Sequence, residues 1–148
     1  MEFQSRGVRA LVRLQMAELR ALFQVWLEAR RKGVRLPETD DRDYGSLDLL
    51  MRHPLRSSRG YLMGICQTLG RPDPEVPDPP EPRDVEKNGA GYIDTLELAW
   101  ENHVAWVTDE VVAAHDGAVE VTLEHAVVHP IRHRFQLQEL MTEQAARR

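Results

Sequence analysis

Residues Thr122 to Leu140 read TLEHAVVHPIRHRFQLQEL and set His125, His129 and His133 at successive steps of four. Apolar Val127, Ile131 and Phe135 recur beside them at helical intervals. An α-helix has 3.6 residues per turn and rises about 1.5 Å per residue, so side chains at i and i+4 share a face and lie within roughly 6 Å of each other. Two imidazoles so placed can bind one metal ion. The spacing admits two pairs, His125 with His129 or His129 with His133.

A second histidine stands in a similar frame. Arg52-His53-Pro54-Leu55-Arg56 parallels Val128-His129-Pro130-Ile131-Arg132, each a His-Pro-aliphatic-Arg run inside an apolar-periodic segment. A proline within a helix lacks the N–H that would bond the carbonyl four residues back, which frees the Leu50 and Ala126 carbonyls and is expected to bend each helix. Two such sites, each beside a histidine, suggest two helices shaped around one shared feature.

Three passages carry a resemblance to a known family. They are Ser46-Leu47-Asp48-Leu49-Leu50-Met51-Arg52-His53, the continuation Arg59-Gly60-Tyr61-Leu62, and the run from His129 through His133, Arg134 and Phe135 to Gln136. Together they resemble the DinB-like superfamily of metal-binding four-helix bundles, which includes YfiT-type proteins and bacterial thiol S-transferases. The resemblance implies one ligand from the second helix and two from the last, hence His53, His129 and His133. It also implies a homodimer. The chain departs from the family pattern at Phe135, where a glycine is common, and at both helical prolines.

The implied donor set suggests its chemistry. Three neutral imidazoles leave the charge of a divalent transition metal uncompensated and a coordination position open, as in reactive metal sites. Zinc and nickel both suit imidazole. Such an ion lowers the pKa of a bound thiol, so the family implies transfer of a low-molecular-weight thiol to a small-molecule electrophile. The alternative is a non-catalytic bundle whose metal has a structural or partner-binding role. No residue is assigned as catalytic. Ser57, Tyr61, Gln136, His103 and His125 are the candidates for lining or supporting the site.

Composition limits the other classes. A chain of 148 residues with 42% hydrophobic content can bury one core, so residues 1–148 are expected to form one domain. The single cysteine, Cys66, permits no intrachain disulfide, which suits the cytoplasm. A formal net charge of -5 with interspersed signs argues against nucleic acid. No long apolar run suits a membrane span, and the first residues lack the apolar core of a secretion signal.

Along the chain the periodicity predicts four helices, an all-α four-helix bundle. The first spans about residues 4–31, closed by Arg30, Arg31 and Gly33; the second runs from a Ser46 cap to Gly70, with Ser57 and Tyr61 on its inner stripe. Six of the nine prolines then fall between Pro72 and Pro82, predicting a long proline-rich crossover over 71–91, either a cover for a pocket or a solvated spacer. The third helix is expected from about residue 90 to His115. Residues 118–121 read as a short link, Thr122 as the cap of the last helix, and the chain from Thr142 as fraying.

Overall fold

A computed structural model of the chain describes residues 2–147. Among these residues there are five α-helices and no strand: α1 (Arg6–Arg31), α2 (Leu47–Thr68), α3 (Val85–Val104), α4 (Asp109–Ala113) and α5 (Ala118–Ala146). No helix is long and apolar enough to cross a membrane.

Local chemistry sets most of the boundaries. The Ser5 hydroxyl accepts from Val8 N to open α1, and the Ser46 hydroxyl accepts from Leu49 N to open α2. Gly33 and Gly70 lie just past the ends of these helices with φ of 63° and 62°, a left-handed conformation that suits glycine.

Four boundaries differ from the sequence reading. The third helix starts at Val85, after a 3-10 turn over Pro82–Asp84, and not near residue 90, so the proline-rich segment is shorter than 71–91. Gly89 is there for packing, since a methyl group on it would lie 2.7 Å from Phe23 Cε2. That helix ends at Val104, and Thr108 caps the separate α4 by accepting from Val111 N. Residues 118–121 are helical, because Asp116 and Gly117, with φ of 48° and 81°, make the break and let α5 begin at once. Thr122 lies inside the helix, its hydroxyl donating to Ala118 O. At the far end α5 continues to Ala146, where Gln144 accepts from Arg35 N and donates to Arg35 O.

The long helices enclose one core. α1 packs against α5 and α3, and α2 packs against α5 and α3. Arg134 on Glu18 and Gln144 on Arg35 match advancing positions of α1 and α5, so these two run in the same direction. Trp26 donates to Leu47 O and Gln15 to Ser58, so α2 runs opposite to α1. Arg30 on Glu86 and Arg20 on Glu97 make α3 opposite to α1 as well. Trp26, Trp100, Met16, Leu22, Met51 and Leu96 are fully enclosed between them.

The segment between α2 and α3 lies against α2. Arg59 donates to Val76 O at 2.8 Å, Arg52 to Pro80 O at 2.9 Å, and Tyr92 of α3 to Pro77 O at 2.7 Å. Pro74, Val76 and Pro79 are buried. Arginine donors thus satisfy carbonyls for which the prolines supply no partner N–H.

One helical phase differs from expectation. Ser57 is half-buried, whereas its neighbour Ser58 is 2% exposed and accepts from Gln15 Nε2 at 2.5 Å and Trp100 Nε1 at 3.2 Å. The serine that joins three helices is therefore Ser58.

Candidate metal centre

α2 and α5 each continue through a buried proline, Pro54 and Pro130, and the histidine before each proline faces the other helix. His53 and His129 meet ring to ring, with centroids 4.7 Å apart and Nε2 atoms 2.9 Å apart. His133, one turn after His129, completes the group at centroid distances of 5.3 Å and 4.8 Å. One nitrogen from each ring can be chosen so that all three lie within 4.8 Å of one another.

Each ring is held through its other nitrogen by a different oxygen. His53 Nδ1 lies 2.9 Å from Asp43 Oδ2, His129 Nδ1 lies 3.2 Å from Tyr61 Oη, and His133 Nδ1 lies 2.9 Å from Gln136 Oε1. This leaves the three Nε2 atoms for one another. His133 Nε2 is buried with no hydrogen-bond partner, and His53 and His129 present Nε2 to Nε2. A buried lone pair without a donor is costly, and a shared cation would satisfy all three. Metal-binding histidines characteristically anchor their second nitrogen on a carboxylate or a carbonyl, the pattern seen at His53 and His133. The residues present therefore fit a metal ion.

Without a cation, the contacts fix the tautomers. His53 donates from Nδ1 to Asp43, so its neutral ring has a bare Nε2; His129 must then donate from its own Nε2, and its Nδ1 accepts from the Tyr61 hydroxyl. Ligation through Nε2 would move the His129 proton to Nδ1 and reverse the bond to Tyr61. A hydroxyl can take either role.

Electrostatics favour neutral rings. Burial, with repulsion from His133 and His53, lowers the His129 pKa to about 3. Burial lowers that of His133 to about 4, against the bond to Gln136. His53 is also lowered by burial, with Asp43 opposing. Neutral imidazoles are the form that binds metal.

The other candidates sort clearly. Tyr61 and Gln136 touch the group, and burial raises the Tyr61 pKa. His125 is exposed on α5 with its ring 5.7 Å from Tyr61, outside the group. His103 is half-buried at the end of α3, where its carbonyl accepts from Trp106, and Ser57 makes no bond to the three rings. Arg134 is committed to Glu18 at 2.8 Å, and Arg132 is exposed.

Sequence reasoning missed Asp43 and Tyr44. Both sit on a 3-10 turn, Arg42–Tyr44, whose first N–H bonds are organised by Asp41, its carboxylate accepting from Asp43 N at 3.0 Å. The turn aims Asp43 at His53 and Arg56 and sets the Tyr44 ring 5.9 Å from that of His133. The spacing Asp41-x-Asp43 is a turn signature, but it carries no information about what the second aspartate faces. Comparison with protein-family models, curated proteins and solved structures gives no match.

Proposed function

We propose that the chain is a DinB-like metal-binding protein in which His53, His129 and His133 hold one divalent transition metal, zinc or nickel, and that it conjugates a low-molecular-weight thiol to an electrophilic substrate. In this reading the four long helices form the family's bundle and the proline-rich segment is its crossover. The observation that carries it is the convergence of three rings, one nitrogen of each within 4.8 Å of the others, each ring anchored through Nδ1 by Asp43, Tyr61 or Gln136. When bound, the ion would lower the pKa of a thiol and so supply a nucleophile near neutral pH. Asp43 fixes the His53 tautomer and places a negative charge behind it, Gln136 fixes His133, and with an ion bound the Tyr61 oxygen would accept from His129 Nδ1.

Purified protein assayed for conjugation of several small thiols to monochlorobimane, with and without added zinc or nickel, tests the enzymatic half. Metal-dependent turnover is expected. Metal binding without turnover for any thiol would favour the second reading, a non-catalytic ion that stabilises the fold or serves a partner. That reading draws support from the complete burial of His133.

A further inference from the structure

A small cleft adjoins the centre on the His133 side. It has a volume of about 220 Å³ and is lined by Leu36, Pro37, Tyr44, Leu50, Gln136 and Leu140. Two of these residues touch the centre directly. Gln136 bonds His133 Nδ1 at 2.9 Å, and the Tyr44 ring lies 5.9 Å from the His133 ring.

The rim has one sign of charge. Glu139 and Glu143 line the same cleft, one turn apart on α5, and both are exposed. Neither makes an ion pair or side-chain hydrogen bond among the described residues. Two carboxylates at i and i+4 repel each other, and here they do so at the mouth of an apolar space. A volume near 220 Å³ is below the range of drug-sized sites, so a small ligand fits it.

We propose that this cleft binds a small molecule with an apolar or aromatic body and a cationic end, an arylalkylammonium, with the body against Tyr44, Leu50 and Leu140 and the charge between Glu139 and Glu143. As a binding site it stands on the cleft alone. Its coupling to the metal centre, through the Gln136 bond to His133 Nδ1, rests on the function proposed above.

The test compares 4-phenylbutylammonium with 4-phenylbutyrate, bodies of nearly the same size with opposite charge, by amide chemical-shift titration of the full chain with and without zinc. An alkylammonium remains charged at neutral pH, as a lysine does. Saturable shifts at Leu36, Tyr44, Gln136 and Leu140 are expected with the cation, at about ten-fold or greater preference over the anion. The exposed double change Glu139→Gln with Glu143→Gln should erase that preference while apolar contacts remain. No saturation, equal affinity for both probes, or a preference that survives the double change would overturn the inference. In cobalt-loaded protein the cation should also shift the visible spectrum, because Gln136 holds a ligand. An unchanged spectrum despite saturation would sever the cleft from the metal centre. Protein that fails to bind metal but still selects the cation would refute the metal reading and leave the cleft standing.

Discussion

Asp43 Oδ2 lies 2.9 Å from His53 Nδ1 and also accepts from Arg56 at 2.8 Å, so one carboxylate on a short 3-10 turn anchors the α2 imidazole of the histidine group. The carboxylate fixes which nitrogen of His53 carries the proton and leaves Nε2 for a ligand bond. Asp43→Asn keeps the shape and loses the charge. Metal affinity is expected to fall about 10- to 100-fold, with helical content and core stability little changed. Competition with a chelator of known affinity measures it, and wild-type affinity in the variant would exclude an anchoring role.

His133 is fully buried with an unpartnered Nε2, a site kept at a cost to the metal-free fold. His133→Leu has similar volume and no polar atom to satisfy. The metal-free variant is expected to match the wild type or exceed it by about 1 kcal/mol in urea unfolding, while metal binding is lost. Destabilisation by several kcal/mol would mean that His133 is structural.

Acid should loosen the metal-free protein before its carboxylates titrate. The folded pKa values of His129 and His133, about 3 and about 4, lie below the ordinary value of 6.5, so between these limits the unfolded chain binds more protons than the folded one. Stability is therefore full above about pH 6.5 and falls as pH drops through the window, with a slope that approaches about two protons for this pair. Urea unfolding from pH 7 to 5 reads the slope. A flat profile would show that the rings are charged or exposed in the fold. Bound metal is expected to leave over the same range, because protons compete for its ligands.

Ser58 and Ser57 offer a matched control on the helix phase. Ser58→Ala would leave the buried Gln15 and Trp100 donors without their shared acceptor, at a cost of about 2–4 kcal/mol. Ser57→Ala should lie within about 0.5 kcal/mol of the wild type. Equal effects would contradict the assignment of the inner face.

What could be read from the sequence follows from which interactions are local. Caps at Ser46 and Gly33, the apolar stripes, and the i+4 histidines of α5 are written within single helices, and the structure shows helices there. Ser58 instead of Ser57 is a one-residue phase decided by Gln15 and Trp100, which lie 43 and 42 positions away. The start of α3 at Val85 is not legible locally, because the reason for Gly89, the Phe23 ring, belongs to another helix. Thr108 followed by Asp109 and Glu110 is a legible helix start that the expectation of one helix to His115 passed over. Asp43 carries no periodicity, and only the 3-10 turn brings it to His53. The resemblance led to His53 in combination with His129 and His133, whereas spacing alone left His125 in contention.

The most direct measurement is metal content of untagged protein by elemental analysis, repeated for His53→Ala, His129→Ala and His133→Ala. About one transition-metal ion per chain is expected in the wild type, with loss of that ion in each variant and all three remaining helical by circular dichroism. Stoichiometric metal retained when any one of the three imidazoles is removed, or no metal in the wild type after incubation with zinc and nickel, would contradict it.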